Sequence, residues 1–69
     1  MSENKTFFVS ALGVALAYSR TGVKELSYRK DADGSEVVTI RYANGRERTI
    51  NVTGDSCLGI MSDVYKALI

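Results

Sequence analysis

Residues 24–53, KELSYRKDADGSEVVTIRYANGRERTINVT, decide the fold. Within them, Asp31–Gly34 and Tyr42–Gly45 share the pattern x-Ala-Asp/Asn-Gly, which is typical of a type I turn closed by a glycine in the left-handed conformation. Two such turns between alternating apolar and polar residues predict a meander of three antiparallel strands. We expect the strands at about Lys24–Lys30, Ser35–Tyr42 and Arg46–Thr53.

Side-chain alternation fixes how these strands pair. A two-residue Asn-Gly turn would place Tyr42 opposite Glu47 and would mix apolar with polar residues on one face. The glycine-bulged turn instead pairs Tyr42 with Arg46 and, in the first hairpin, Lys30 with Glu36. One register then serves both hairpins. It predicts an apolar sheet face formed by Leu26, Tyr28, Val38, Ile40, Ile50 and Val52.

Helical periodicity predicts a helix on each side of the meander. The first, at about Asn4–Arg20, is apolar nearly all round, as is typical of a helix buried on more than one side. The second, at about Ser56–Leu68, is amphipathic. The chain is thus predicted to be a single α+β domain over residues 1–69, in the order α-β-β-β-α. Both helices are expected on the apolar face of the antiparallel sheet. The other face, with the row Glu25–Arg41–Glu47, is expected to meet solvent.

Each predicted helix has residues suited to its ends. Asn4 or Thr6 is expected to cap the first helix. Gly22 is expected to stop it, with Arg20 as a cation in its last turn. One of the two residues in Asp55–Ser56 is expected to cap the second helix.

Composition excludes several classes of chemistry. Nine basic and eight acidic residues give a net charge of +1, without the basic excess that is typical of nucleic-acid binders. There is no histidine, and Cys57 is the single cysteine, so a Ser-His-Asp triad, a Cys-His pair and a zinc cluster are all excluded. No glycine-rich phosphate loop is present. We therefore expect no enzyme activity, no cofactor and no metal, and we interpret Cys57 as a small buried residue.

The apolar stretch Phe7–Tyr18 has two interpretations. With Lys5 before it and Ala15–Ala17 at its end, it resembles a minimal secretion signal, which would make this a small secreted or accessory protein with a cleaved N-terminus. Cleavage would leave about 50 residues without a disulfide, too few for a stable core. The stretch is also shorter than the roughly 20 residues that span a membrane. We therefore interpret it as a buried helix in a cytoplasmic protein that does not enter membranes.

The first helix also supplies the main candidate binding surface. If Phe8 and Leu12 face the sheet, a second set of residues points away from it. The small residues of this set would let another backbone approach closely. The prediction is an interaction module that self-associates or binds a partner protein. Its predicted contact residues on this helix are Val9, Gly13, Leu16 and Ala17.

Two arginines form a second candidate surface. Arg46 and Arg48 have the parity of the apolar face and lie beside Tyr42 near the second turn. Guanidinium groups in such a position could bind a phosphate or a carboxylate. Alternatively, both side chains extend past the edge of the helix layer, with Arg46 stacked on Tyr42.

The predicted element order is similar to that of double-stranded-RNA-binding domains. In that family the second helix opens with a lysine-rich segment that grips phosphates, whereas the corresponding stretch Gly54–Gly59 has no basic residue and contains Asp55. An acidic side chain there would repel phosphate. Nucleic-acid binding through Arg46 and Arg48, helped by Lys30, therefore stays the alternative to a protein partner.

Overall fold

The computed structural model describes residues 4–69. It contains helix α1 (Lys5–Tyr18), strands β1 (Val23–Lys30), β2 (Glu36–Tyr42) and β3 (Glu47–Asn51), and helix α2 (Cys57–Leu68). The strands form one antiparallel sheet in the order β1-β2-β3. The predicted α+β fold in the order α-β-β-β-α is confirmed. Helix α1 packs closely on β1, and α2 contacts the sheet less closely.

Both turns have the predicted glycine-bulged form. Gly34 and Gly45 adopt left-handed backbone angles, with φ of +91° and +90°. Each glycine N–H donates to the carbonyl that opens its turn, Asp31 O for the first and Tyr42 O for the second, both at 3.0 Å. Because a residue with a Cβ is strained at such angles, glycine is needed at both positions.

The predicted register is confirmed along both hairpins. In the first hairpin Tyr28 lies opposite Val38, and in the second Val38 lies opposite Ile50. Arg48 lies opposite Ile40, as the shared register requires. The inward face of the sheet therefore carries its apolar residues toward the helices, where they form the core. The buried members of this core are Val9, Val23, Leu26, Val38, Ile40, Val52, Ile60 and Val64.

The outward face of the sheet is held by charge pairs. Arg41 on β2 lies between two glutamates on the flanking strands, with Nη1 2.7 Å from Glu25 Oε1 and Nη2 2.8 Å from Glu47 Oε2. The two carboxylates, Glu47 foremost, raise the pKa of Arg41. The predicted charged row is thus present, and it leaves Arg41 with little unmatched charge.

Helix α1 begins where predicted and ends earlier than predicted. The Asn4 side chain accepts a hydrogen bond from Phe7 N at 3.0 Å, so Asn4 is the N-cap. The helix ends at Tyr18 because Ser19 N and Thr21 Oγ1 both donate to the carbonyl of Leu16. Beyond it, Arg20 itself takes a left-handed conformation with φ of +57°. The prediction that Arg20 lies in the last helical turn is therefore wrong.

Helix α1 is rotated from its predicted orientation on the sheet. Val9 has no exposed surface and Gly13 is buried, whereas Phe8 and Leu12 are only half-buried. The cause is a close approach at Gly13: a Cβ added there would lie 2.7 Å from Leu26 N. Because glycine lacks a Cβ, α1 can approach the backbone of β1 more closely than any other residue would allow. The prediction that Val9 and Gly13 face away from the sheet is wrong.

Helix α2 has the predicted amphipathic form. Ser56 is its N-cap and accepts a hydrogen bond from Gly59 N at 3.1 Å. Ile60 and Val64 are buried in the hydrophobic core, and Cys57 in the first turn is half-buried. Within residues 4–69, neither helix combines the length and the hydropathy needed to cross a membrane.

Replacing Gly13 with alanine tests the close contact between α1 and β1. Alanine raises helix propensity by about 1 kcal/mol, yet the added methyl group would clash with the Leu26 backbone. Because the clashing atom belongs to the backbone and cannot move away cheaply, we expect an overpacking cost of about 2–3 kcal/mol, at the upper end of the usual range. Gly13→Ala should therefore lower the free energy of unfolding by about 1–2 kcal/mol net. Urea denaturation measures this change. Ser10→Ala, at an exposed position of the same helix, is the control and should change stability by under about 0.5 kcal/mol. A Gly13→Ala protein as stable as the wild type would contradict the contact.

Candidate functional site

The outer side of α1 carries an uncharged apolar surface. Phe7 is 59% exposed, Val14 58% and Tyr18 86%, and Ala11 between them is also exposed. Their spacing of three or four residues aligns them along one side of the helix. We call these four residues the outer α1 face. An exposed row of large apolar side chains without a charge among them is typical of a binding surface.

The structure separates the residues that were predicted to form this surface. Val9 and Gly13 are buried, and Leu16 is half-buried against the core. Of the four predicted residues, Ala17 is the one that is exposed. A helix that is apolar on all sides gives no polar stripe from which its orientation can be read. The contact that decides it is tertiary, between Gly13 and β1. The rotation therefore moves the candidate surface from the predicted side to the outer α1 face.

One sequence signal does agree with the observed orientation. Lys5 Nζ reaches Glu36 Oε2 at 2.7 Å, which requires the side of α1 below Lys5 to face the sheet. Val9 follows Lys5 by four residues and Gly13 follows Val9 by four, so all three lie on one side. If the sequence had shown that Glu36 is buried, Lys5 would have indicated which side of α1 faces the sheet.

Helix α2 also exposes apolar side chains. Leu58 is exposed to 70% and Tyr65 to 63%. Met61 and Ile69 are exposed as well, and Ser62 and Lys66 are the exposed polar residues of the same helix. Unlike the outer α1 face, this surface adjoins charged side chains. It is a second apolar surface, separate in sequence from the first.

The arginine cluster of the second turn is only partly free. Arg48 Nη1 donates to the carbonyl of Ala67 in the last turn of α2, at 3.1 Å. A cation at the C-terminal end of a helix satisfies a carbonyl that has no partner within the helix. Arg46 is exposed at the turn, and its carbonyl accepts a hydrogen bond from Tyr42 N. Tyr42, Arg46 and Arg48 thus lie near one another as predicted, but the Arg48 guanidinium already has a hydrogen-bond partner within the protein.

Glu36 forms a buried charged centre that the sequence did not reveal as a site. Its side chain is 8% exposed, and its carboxylate has three partners. Oε2 accepts from Lys5 Nζ at 2.7 Å and from the Tyr28 hydroxyl, and Oε1 accepts from Gly54 N at 3.0 Å. One carboxylate thereby ties together the start of α1, strand β1 and the loop before α2. A buried ion is tolerated only when it is paired and hydrogen-bonded in this way.

The electrostatics of Glu36 argue against a role in proton transfer. The hydrogen bonds from Lys5 and Tyr28, with that from Gly54, lower its pKa from 4.5 to about 2. The same carboxylate raises the pKa of the Tyr28 hydroxyl. A general acid or base works best with a pKa near the working pH, and these shifts move both groups away from neutrality. The cluster is suited to fixing α1 in place.

A pair of carboxyl groups joins the loop before α2 to the helix itself. A hydrogen bond between the side chains of Asp55 and Asp63 raises the pKa of Asp55, and burial and the Asp63 charge add to the effect. Two carboxyl groups this close repel each other when both are ionised. In the part of the chain that the structure describes, no group of three or more His, Cys, Asp or Glu residues is arranged to hold a metal ion.

Comparison with protein-family models, with curated proteins and with solved structures found no match. The similarity of element order to double-stranded-RNA-binding domains therefore gains no support from any matching structure. Function must be inferred from the surfaces of this chain.

Acid should destabilise the protein through Glu36. Because its folded-state pKa of about 2 lies below the ordinary 4.5, the unfolded chain binds this proton more tightly than the folded protein does. The stabilisation from Glu36 is complete above about pH 4.5 and is lost as the pH falls toward 2. We expect the urea midpoint of the wild type to fall across this range, and that of Glu36→Gln to fall less steeply.

The control for this measurement is Glu25→Gln, which removes the same charge from the exposed face of the sheet. Its urea midpoint should follow the wild-type pH dependence closely, because exposed pairs contribute little to stability. Parallel curves for Glu36→Gln and the wild type would contradict the assigned role of the buried carboxylate.

Proposed function

We propose that this protein is a non-catalytic interaction module that binds a partner protein through the outer α1 face. The observation that carries the proposal is the exposure of Phe7, Val14 and Tyr18 on a helix whose opposite side carries the buried Val9 and Gly13. Aromatic side chains supply a large contact area at low entropic cost and are enriched in protein interfaces. The partner surface should be apolar, because the outer α1 face offers no charge to pair with.

The proposed mode of binding is docking onto a preformed surface. Asn4 caps the start of α1, Lys5 ties it to Glu36, and Gly13 seats its middle on β1. The helix is therefore held at its start and middle before any partner arrives. Binding would then cost mainly the side-chain freedom of the contact residues.

Charge placement favours a protein over nucleic acid as the partner. On the outward face of the sheet, Arg41 is paired with two glutamates and Arg29 with Asp31. Arg48 is engaged by the end of α2. Affinity for nucleic acid comes chiefly from cations that are free to neutralise phosphates, and these arginines already have partners. We also propose a cytoplasmic setting, because the single cysteine cannot form a disulfide within the chain and secreted domains of this size are often rich in disulfides.

A double substitution on the outer α1 face tests the proposal. In Val14→Gln/Tyr18→Gln, glutamine removes the apolar surface at two exposed positions while retaining helix propensity. We expect stability to change by under about 1 kcal/mol, since exposed substitutions are usually small in effect. Immobilised wild-type and variant protein are incubated with lysate of the source cells, and recovered proteins are compared by quantitative mass spectrometry. Loss of a recovered partner by at least about tenfold is expected, because exposed aromatics often contribute 1–2 kcal/mol or more to binding.

The matched control carries the same chemical changes on the other helix, in Leu58→Gln/Tyr65→Gln. It should retain the partner that the α1 variant loses. If the α1 variant recovers the same proteins as the wild type, or if only the α2 variant loses them, the outer α1 face is not the binding surface.

A further inference from the structure

Strand β3 ends the sheet with an unpaired backbone edge. Tyr42 N donates to Arg46 O at 2.8 Å, and Val52 N donates to Glu36 O at 2.9 Å. The backbone groups of even-numbered residues in this segment therefore point toward β2, and those of odd-numbered residues point away from it. In the part of the chain that the structure describes, no further strand lies beyond β3. The outward N–H and C=O groups belong to Glu47, Thr49 and Asn51.

The two edges of the sheet differ in how they are protected. On β1, a bulge interrupts the register between Val23 and Glu25, lysines stand at positions 24 and 30, and Gly13 of α1 approaches Leu26 N. A bulge, edge lysines and a covering helix are three devices that keep an edge strand from pairing. Strand β3 has no bulge, no lysine and no proline, and its two charged residues, Glu47 and Arg48, are of opposite sign. The edge at β3 is thus open where the edge at β1 is blocked.

We propose that β3 pairs in antiparallel fashion with β3 of a second copy of this chain, with Thr49 on the two-fold axis. In this register Glu47 lies opposite Asn51 of the other copy, so no like charges meet. On the face of the sheet that carries the helices, Arg48 lies opposite Ile50 of the other copy. The pairing would form about six backbone hydrogen bonds and extend the sheet to six strands. The row of hydroxyl side chains Ser27–Thr39–Thr49 would continue across the axis.

The neighbouring registers are less favourable. Shifting the pair in one direction brings Arg48 directly opposite the second copy's Arg48, and like charges facing each other across strands are destabilising. Shifting it in the other direction moves Glu47 opposite Thr53, beyond the end of β3. The charges and the length of the strand together therefore favour the register centred on Thr49.

This pairing is independent of the proposed function. Helix α1 packs on β1, and β3 lies at the opposite edge of the sheet. A dimer joined through β3 would leave both outer α1 faces accessible. Such a dimer would present two copies of the α1 surface and would gain avidity for a partner with repeated sites.

Concentration-dependent amide exchange tests the pairing directly. Sedimentation and NMR hydrogen exchange are measured between about 50 μM and about 1 mM protein, a range suited to weak dimers. We expect a monomer–dimer equilibrium in which exchange of the Glu47, Thr49 and Asn51 amides slows at least about threefold as the dimer forms. The outward amides of β1, at Leu26 and Tyr28, should not change.

Two substitutions at the axis test the geometry. Thr49→Lys places two cations against each other and should raise the dimer Kd by at least about fivefold, whereas Thr49→Val should retain the dimer. Thr49 is exposed, so the dilute variants should give the circular dichroism of the folded wild-type monomer.

Placing a like charge opposite Glu47, and then removing the Glu47 charge, tests the register. Asn51→Asp keeps the acceptor that Thr53 N uses, and it places a carboxylate opposite Glu47 twice per dimer. We expect it to raise the dimer Kd by roughly three- to tenfold, and the further change Glu47→Gln should restore dimerisation.

Two results would overturn the pairing. The first is a strict monomer at about 1 mM, where even a weak dimer should be populated. The second is a dimer in which the Glu47, Thr49 and Asn51 amides exchange as fast as in the monomer, and which no longer forms in the Val14→Gln/Tyr18→Gln variant. That second result would assign self-association to the outer α1 face and leave the proposed function standing.

Discussion

The left-handed backbone at Gly34 and Gly45 is the constraint on which the other features depend. Each glycine adds one residue to its turn and so sets which strand residues face the helices. That parity places Glu36 inside the protein and directs Arg48 toward the end of α2. It also decides which backbone amides of β3 point away from the sheet. A change of register by one residue would exchange the buried and exposed sets on the strand concerned.

The meander could be predicted in detail because the residues that determine its strand pairing are close in sequence to the residues that pair. Turn residues and side-chain alternation lie within about ten residues of each pairing they determine, and every predicted pair of Tyr28, Val38, Ile40 and Ile50 is present. The orientation of α1 could not be predicted in the same way. Its sequence has no polar side, and the Gly13 contact joins it to a strand that the helix sequence does not specify. Two of the predicted contact residues, Val9 and Gly13, therefore lie on the buried side of the helix.

The buried Glu36 cluster escaped prediction for a related reason. Parity placed Glu36 on the inward face, opposite Lys30, near the end of the strand where a charged residue is unremarkable. Its burial becomes apparent only when Lys5 and Gly54, 31 and 18 residues away in the chain, converge on it. A carboxylate in so small a core is costly unless it is paired and hydrogen-bonded, and here three donors bind its two oxygens. The cluster fixes the start of α1 against β1 and the loop before α2.

The close seating of Gly13 on β1 has a consequence for how the protein would recognise anything. A helix whose backbone touches a strand cannot roll or slide without opening a gap or a clash, so its outward side chains are presented at fixed positions. Recognition through such a helix is rigid-body docking, without induced fit in the backbone. Selectivity would then depend on shape complementarity, and a partner whose surface does not fit the helix would bind weakly, because the helix cannot adjust to it.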